Sequence, residues 1–337
     1  MTTSTKTTYT VLPPGGETAA ATPQSLFALD VLHGLSESPK HLASKYLYDD
    51  AGSRLFQQIT LSHDYYPTGC ETEILTHHAA GIADAIGSEA FNLIELGAGD
   101  GSKTRLLIAE LLKRGHTFNY VPIDISESIM QTLSETMIRL FPSLHISGLV
   151  ADYLGGLRWL EETSGRRNLV LFLGSNIGNF TRLQSRSLLR NLWNALQHGD
   201  YLLTGFDLKK NIDVMLQAYN DSEGFTRAFN LNLLLRINRE LGGHFDINLF
   251  RHYGTYNALS GAMESFLISR QPQTVCIDAL QRAFAFEAFE PVHVEYSYKY
   301  LMSDIEGLAS DTGFRIAANF SDSKNYFTDS LWQVAKL

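Results

Sequence analysis

A glycine-rich segment that also carries charged residues, Glu95 to Thr104 (ELGAGDGSKT), directly follows an apolar run. Glycines in a turn between a strand and a helix let the backbone approach a ligand closely, and the free N–H groups of the helix N-terminus then face that ligand. A dinucleotide-binding G-x-G-x-x-G pattern would require glycine at position 102, where this sequence has Ser102. Because an ordinary glycine-rich turn remains the alternative, the segment by itself indicates only a candidate nucleotide-cofactor loop.

Two acidic residues follow later apolar runs and extend this candidate site. Asp124 ends the run FNYVPID and is placed to accept both ribose hydroxyls, while Asp152 comes just after LVA and is placed to meet an adenine amino group. Either residue alone could be a solvated loop residue. Together with the E-x-G-x-G spacing of class I methyltransferases, they favour S-adenosylmethionine over NAD. The predicted cofactor-binding residues are Glu95, Gly97, Gly99, Lys103, Asp124 and Asp152, with a solvated helix start as the alternative for Lys103.

Other chemistries have no support in the sequence. The 11 histidines include no H-x-x-x-H pair and no cluster with cysteine, so no metal site is predicted. The serines include no G-x-S-x-G motif, so hydrolase chemistry is unsupported.

Short β-rich apolar runs alternate with longer amphipathic ones from Phe91 onward, which is typical of a parallel sheet with crossover helices. The predicted strands are Phe91–Leu96, 118–125, 144–150, 168–174 and 200–207. Near the chain end, residues 315–321 and 330–336 predict an antiparallel pair at the sheet edge. These elements predict an α/β fold of the class I S-adenosylmethionine-dependent methyltransferase type, with a Rossmann-like, doubly wound sheet.

A second region interrupts this pattern, because residues 210–299 are first helix-rich and then form short strands. We expect a methyltransferase domain over 70–209 and 300–337, an α+β substrate-binding lobe over 23–69 and 210–299, and a disordered tail over 1–22. A cleft between the two would hold the substrate.

Composition restricts the partners of the protein. The 337 residues include 27 Lys+Arg and 36 Asp+Glu, which gives a net charge of 27 − 36 = −9, and no basic run is present. The acidic net charge and the lack of a basic run argue against a nucleic-acid-binding protein. The longest apolar run, 169–173, is too short to cross a membrane, the N-terminus does not resemble a secretory signal, and Cys70 and Cys276 are expected to be reduced. We expect a cytoplasmic monomer with a small-molecule substrate and no nucleic-acid or membrane partner.

Several motifs over about 250 residues are more specific than the glycine loop. Besides residues 95–104 they include YDDAGSRLF at 48–56, DYYPT at 64–68, LGSNIGN at 173–179 and EYSYK at 295–299. In these motifs the sequence resembles the L-histidine Nα-methyltransferases, which form hercynine, the trimethyl betaine of histidine, in ergothioneine biosynthesis.

The resemblance implies six substrate-binding residues. They are Tyr48, Glu295 and Ser297 for the imidazole, Asn179 and Tyr219 for the carboxylate, and Tyr65 near the amino group. It also implies direct in-line transfer of the sulfonium methyl to an uncharged α-amine, with Tyr65 or bulk water as the base. Two alternatives stay open. One is the same chemistry on tryptophan or tyrosine, against which the carboxylate of Glu295 argues. The other is a non-catalytic cofactor-binding protein, against which the intact loop argues.

Overall fold

The computed structural model of the protein describes residues 9–12, 22–153, 155, 156, 159 and 165–336. The chain divides into two compact units. The first unit comprises Met1–Gly16, Gly69–Leu208 and Tyr300–Leu337, and the second comprises Glu17–Thr68 and Lys209–Lys299. Strands and helices are numbered below along the whole chain.

The described part of the first unit contains a sheet of nine strands. The strands are β1 (Tyr9–Val11), β2 (Phe91–Leu96), β3 (Phe118–Asp124), β4 (His145–Ile146), β5 (Gly148–Val150), β6 (Arg167–Phe172), β7 (Tyr201–Asp207), β13 (Phe314–Ser321) and β14 (Phe327–Val334). Their order is β1-β5-β3-β2-β6-β7-β14-β13, with β4 beside β3. The pairs from β1 to β7 are parallel, whereas β14 is antiparallel to both β7 and β13. The predicted doubly wound sheet with an antiparallel edge pair is confirmed.

Strand β2 is the switch point of this sheet, since β3 lies on one side of it and β6 on the other. Every residue of β2 is buried, and its sequence accordingly lacks the strict alternation of apolar and polar residues that a strand with one exposed face would show. Ligands of open α/β sheets bind at the carboxyl ends of the strands beside such a switch point. The glycine-rich loop begins at this position.

Helices of the first unit connect these strands. They are α3 (Tyr66–Ile86), α4 (Thr104–Lys113), α5 (Glu127–Leu140), α6 (Arg182–Ala195) and α9 (Met302–Thr312). Polar side chains define where two of them begin: the hydroxyl of Ser126 accepts the N–H of Ile129 at α5, and Thr181 with Gln184 forms a capping box at α6. The sequence predicts helices near 103–114 and 127–141, and α4 and α5 confirm both to within a few residues.

The second unit combines helices with a small antiparallel sheet. Its helices are α1 (Pro23–Ser36), α2 (Asp50–Leu61), α7 (Ile212–Ala218) and α8 (Phe225–Leu241). Its sheet has the order β12-β9-β8, from β8 (Phe250–Asn257), β9 (Ala262–Ser269) and β12 (Pro291–Tyr298), and β10 (Gln273–Ile277) pairs with β11 (Arg282–Phe286). Buried side chains of α8 such as Phe229 and Leu233 share an apolar core with Leu267 of β9.

Two details of the prediction are wrong. The strand predicted over 144–150 is divided into β4 and β5 at Ser147, whose N–H donates to the carbonyl of Tyr120 at 2.9 Å. Within the predicted disordered tail, Tyr9–Val11 forms a strand parallel to β5, because β5 otherwise offers an unpaired edge. Apart from Leu12 and Thr22, the rest of residues 1–22 lies outside the described residues. None of the helices in the described part of the chain is long and apolar enough to span a membrane.

Candidate active site

The glycine-rich loop after β2 has a backbone that glycine alone adopts easily. The φ angles of Gly97, Gly99 and Gly101 are 73°, 55° and 68°. A Cβ at Gly97 would lie 2.9 Å from the amide nitrogen of Asn176 and 3.1 Å from the hydroxyl of Tyr153, whereas a Cβ at Gly99 would meet nothing within 4 Å. The loop is therefore packed on protein at Gly97 and open at Gly99, as a cofactor approaching the backbone requires.

Asp124, the last residue of β3, holds this loop through hydrogen bonds. Its Oδ2 accepts the N–H of Gly99 at 2.9 Å and its Oδ1 accepts the N–H of Ser126 at 3.0 Å. Burial raises the pKa of Asp124, and the backbone N–H groups oppose that shift. The backbone N–H groups of Gly99, Ser126 and Ile125 all act on this carboxylate, which has about four acceptor positions, so acceptor capacity remains for a ribose hydroxyl.

Asp152 lies beyond β5 and is exposed. Its Oδ1 accepts the N–H of Gly155 at 2.7 Å, which caps the turn that follows. One oxygen is therefore used by the fold, and contact with adenine through the other stays a prediction.

Glu95 is buried and bonded to the elements on both sides of the loop. The residue is only 3% exposed, and its two carboxylate oxygens accept hydrogen bonds from the hydroxyls of Thr104 and Tyr120. Burial raises the pKa of Glu95 to about 7. Glu95 therefore braces β2 against α4 and β3, and contact of its side chain with a cofactor stays a prediction.

Lys103 stands directly before α4, but most of its side chain is removed from solvent. Its Nζ forms an ion pair with Glu71 of α3, which is fully buried and also accepts the N–H of Gly174 at 2.7 Å. Asp329 of β14 is buried beside this pair, and burial together with the charge of Glu71 raises its pKa well above the ordinary value. Sequence reasoning missed Glu71 and Asp329, because neither lies in a motif and only the fold brings them to Lys103.

In the second unit, predicted substrate residues form a polar cluster around an unpredicted lysine. The hydroxyl of Tyr219 lies 2.7 Å from Oγ of Ser297, and Nζ of Lys299 donates to both oxygens at 2.8 Å. The three side chains are buried. The signal for Lys299 was present in the sequence, because residues 295, 297 and 299 share one face of an extended chain.

Glu295 begins this face of β12, just after an irregularity in the pairing between His293 and Glu295. Burial raises the pKa of Glu295 to about 7, and the positive charge of Lys299 opposes that shift. The carboxyl group thus titrates near neutral pH in the protein without substrate. It can accept an N–H when ionised and donate an O–H when protonated.

The two remaining tyrosines of the second unit are joined through an aromatic cluster. The ring of Tyr48 lies 5.5 Å from Phe56 and 5.3 Å from Phe229 between centroids, and Tyr65 lies 6.4 Å from both Phe56 and Tyr219. The structure therefore brings Tyr65 beside Tyr219 and connects it to Tyr48 through one ring.

Asn179 belongs to the first unit, where it ends a short 3₁₀ turn, Asn176–Asn179, after β6. The turn begins after Ser175, which has a positive φ of 58°. Asn179 is half-buried, so its amide can reach a ligand.

The described residues include one group of side chains that could bind a metal ion. His33, Glu37 and His41 bring one ligand atom each within 4.8 Å of one another, but His33 and Glu37 are exposed and already pair at 3.1 Å. Cys70 and Cys276 form no disulfide.

A doubly wound sheet in which β2 leads into a positive-φ glycine loop, held by Asp124 at the end of β3, defines a class I S-adenosylmethionine-dependent methyltransferase. The model of a family described as "Histidine-specific methyltransferase, SAM-dependent" matches residues 27–334. The chain belongs to this family.

Individual relatives are similar over most of the chain. A histidine N-alpha-methyltransferase of Mycolicibacterium smegmatis is 36% identical, over 90% of this chain and 93% of the relative. One of Mycobacterium tuberculosis is 38% identical, over 80% of this chain and 83% of the relative. The ergothioneine biosynthesis protein 1 of Neurospora crassa is 29% identical over 86% of this chain, which spans 33% of that longer protein.

Proposed function

We propose that the protein transfers methyl groups from S-adenosylmethionine to the α-amino nitrogen of L-histidine and forms hercynine, as a step of ergothioneine biosynthesis. Family membership and the names of the mycobacterial and Neurospora relatives support this proposal. The observation that carries it is the half-buried carboxyl group of Glu295, with the hydroxyl of Ser297 on the same strand face. An acid and a hydroxyl suit the two nitrogens of imidazole, whereas an indole or a phenol ring offers only one polar atom.

The first unit supplies the groups that hold the cofactor. Asp124 would accept a ribose hydroxyl through its remaining acceptor capacity, while Gly97 and Gly99 let the ligand approach the backbone. Lys103 would meet the carboxylate of the cofactor's methionine part, and Asp152 the adenine. When bound, the cofactor supplies an electrophilic methyl group on a sulfonium centre.

The second unit supplies most of the groups that hold the amino acid. Tyr48, Glu295 and Ser297 would bind the imidazole, and the hydroxyl of Tyr219 would donate to the carboxylate. Asn179 of the first unit would add an amide donor to the same carboxylate. Gripping both ends of histidine fixes the direction of its α-nitrogen, and such positioning is the main source of catalysis in a direct displacement.

Transfer requires an uncharged amine. Tyr65 or bulk water would take the proton of the α-ammonium group and so free the nitrogen lone pair for the methyl group that the bound cofactor would supply, with S-adenosylhomocysteine as the leaving group. Mono- and dimethylhistidine can repeat this step, because each loses one proton and recovers a lone pair. The quaternary amine has no lone pair, so the reaction stops at three methyl groups.

A calorimetric screen of the twenty amino acids with S-adenosylhomocysteine present tests the substrate. We expect histidine to bind and tryptophan and tyrosine to bind at least an order of magnitude more weakly, since each offers Glu295 and Ser297 one polar ring atom where imidazole offers two. Tighter binding of tryptophan or tyrosine would contradict the proposal.

We also propose that the protein works as a cytoplasmic monomer. Cys70 and Cys276 form no disulfide, which is typical of a reducing compartment, and one chain carries every residue of the proposed site. Light scattering of the purified protein tests the monomer, with a mass of 37.6 kDa expected.

A further inference from the structure

Asp64 stands directly before Tyr65, the residue expected near the substrate amino group, and its side chain is only 6% exposed. Hydrogen bonds from Ser222 hold the pKa of the Asp64 carboxyl below its usual range. The group is therefore ionised at neutral pH and can only accept hydrogen bonds. Because removing a carboxylate from water costs free energy unless donors surround it, the donors that reach Asp64 show what it holds together.

These donors lie on both sides of Tyr219 in the sequence. Oδ1 of Asp64 accepts from the side-chain amide of Gln217, near the end of α7, at 2.6 Å. Oδ2 accepts from the backbone N–H and from the hydroxyl of Ser222, in the loop after Tyr219, each at 2.9 Å. Asp64 therefore ties the segment that carries Tyr65 to the segment that carries Tyr219, within the second unit.

Strand β8 holds the Tyr219 segment independently. Nε2 of His252 donates to the backbone carbonyl of Tyr219 at 3.0 Å, since a carbonyl can only accept. The side-chain amide of Asn220 donates to the carbonyl of Gly254 at 3.0 Å, and its oxygen accepts the N–H of Gly254 at 3.1 Å. A Cβ at Gly254 would lie 2.8 Å from the carbonyl oxygen of Tyr219, so glycine permits this close approach. The backbone of Tyr219 is thus fixed to β8.

Apolar contacts also join the two tyrosines. Their ring centroids lie 6.4 Å apart, and Tyr65 packs against a cluster that contains Tyr219, Met215 and Met263. Apolar packing is non-directional, however, whereas hydrogen bonds to a carboxylate are directional and stronger than neutral ones. The bonds of Asp64 are therefore suited to define how Tyr65 stands relative to Tyr219.

We propose that Asp64 is a positioning residue that fixes Tyr65 relative to Tyr219 during methyl transfer. The inference rests on the proposed function, in which Tyr219 binds the substrate carboxylate and Tyr65 lies near the α-amino nitrogen. These two substrate groups are attached to the same carbon atom, so the spacing of the tyrosines helps to decide where the nitrogen lone pair points. A displacement of about 1 Å in such an alignment can lower a rate about a hundredfold.

Steady-state methylation of histidine by the parent and by Asp64→Ala tests this, at a temperature where circular dichroism shows both to be folded. We expect kcat/KM for histidine to fall about tenfold to hundredfold, with part of the loss in kcat, while calorimetry gives an unchanged Kd for S-adenosylhomocysteine. Asp64→Asn is the conservative variant. Its oxygen can still accept from Ser222, and its amide can donate to Gln217 once the Gln217 amide turns over, so kcat/KM should stay within about threefold of the parent.

A double variant separates positioning from folding stability. If Asp64 acts through Tyr219, Asp64→Ala should lower kcat/KM for histidine by a smaller factor in a Tyr219→Phe protein than in the parent. Two controls should keep the kcat/KM of the parent. Glu223→Ala changes an exposed carboxylate next to Ser222, and Thr22→Ala removes the hydroxyl that caps the N-terminus of α1, which lowers stability in the same unit.

A parent-like kcat/KM in Asp64→Ala would overturn the proposal. An equal loss in both backgrounds, or an Asp64→Asn protein as slow as Asp64→Ala, would overturn it too, because the bonds to Gln217 and Ser222 would then not be what positions the tyrosines. If the parent methylates another amino acid instead of histidine, the proposed function is wrong, and Asp64 is judged by the same comparison on that amino acid. A parent that methylates no amino acid overturns both.

Discussion

Replacing Glu295 with glutamine should change how stability depends on pH. Burial raises the pKa of Glu295 to about 7 in the folded protein from an ordinary value of 4.5. Between these values the folded state binds the proton more tightly than the unfolded state, so the free energy of unfolding falls as pH rises. The shift of 7 − 4.5 = 2.5 corresponds to about 3.4 kcal/mol at 1.36 kcal/mol per pKa unit. Because the residue is half-buried, water reduces this, and we expect about 2–3 kcal/mol.

Glutamine has no proton to release at this position. Relative to the parent, Glu295→Gln should therefore gain about 2–3 kcal/mol of unfolding free energy between pH 4.5 and pH 8. Glu95 titrates in the same range, but it is present in both proteins and cancels in the comparison. The same substitution should weaken histidine binding. A carboxyl group placed to bind a ligand commonly lowers the folding stability of the protein, so stability and binding should change in opposite directions.

Urea unfolding of parent and variant at pH 5 and pH 8 measures this gain, followed by fluorescence and circular dichroism to check that the two probes coincide. Glu223→Gln, at an exposed position, is the matched control and should give the same difference from the parent at both pH values. If the difference between Glu295→Gln and the parent is also independent of pH, Glu295 titrates normally and the argument from burial is refuted.

Three further substitutions test separate parts of the site. Asp124→Ala should weaken S-adenosylmethionine binding by about 1.5–3 kcal/mol, and unchanged affinity in calorimetry would remove the ribose assignment. Glu295→Ala should weaken histidine binding by a similar amount and leave cofactor binding alone, so equal histidine affinity in parent and variant would contradict the imidazole assignment. Glu71→Gln removes the buried partner of Lys103 and should lower the unfolding free energy at pH 7 by about 3 kcal/mol, whereas Glu89→Gln, at an exposed ion pair, should cost less than about 1 kcal/mol. Equal urea midpoints for these last two variants would show that the buried pair adds no stability.

Local sequence signals were sufficient for most of the sheet. Strand β2 is a short apolar run ended by glycines, and the predicted 91–96 coincides with the observed bounds. Strand β1 could not be predicted in this way, because its three residues become a strand only by pairing with Gly148–Val150, far away in sequence. The division at Ser147 likewise depends on a bond to Tyr120 that no local pattern encodes.

The residues of the site also fall into those that local sequence identifies and those that only contacts distant in sequence identify. Asp124 was found because it ends a strand next to a glycine loop, and its bond to Gly99 follows from that position. Glu95 was assigned to the cofactor from its place in the same motif, whereas its hydrogen-bond partners belong to a helix and a neighbouring strand. Lys299 and Glu71 were missed for a related reason: a charged residue looks solvated in a sequence until the fold supplies the groups that surround it.

The central claim is that this protein methylates the α-nitrogen of histidine until that nitrogen is quaternary. Mass spectrometry of the products formed from histidine with excess S-adenosylmethionine tests it most directly, with fragmentation to locate the methyl groups. We expect a final product with three methyl groups on the α-nitrogen, and mono- and dimethylhistidine supplied separately should reach the same product. A product that stalls at one methyl group, or one methylated on the imidazole, would contradict it.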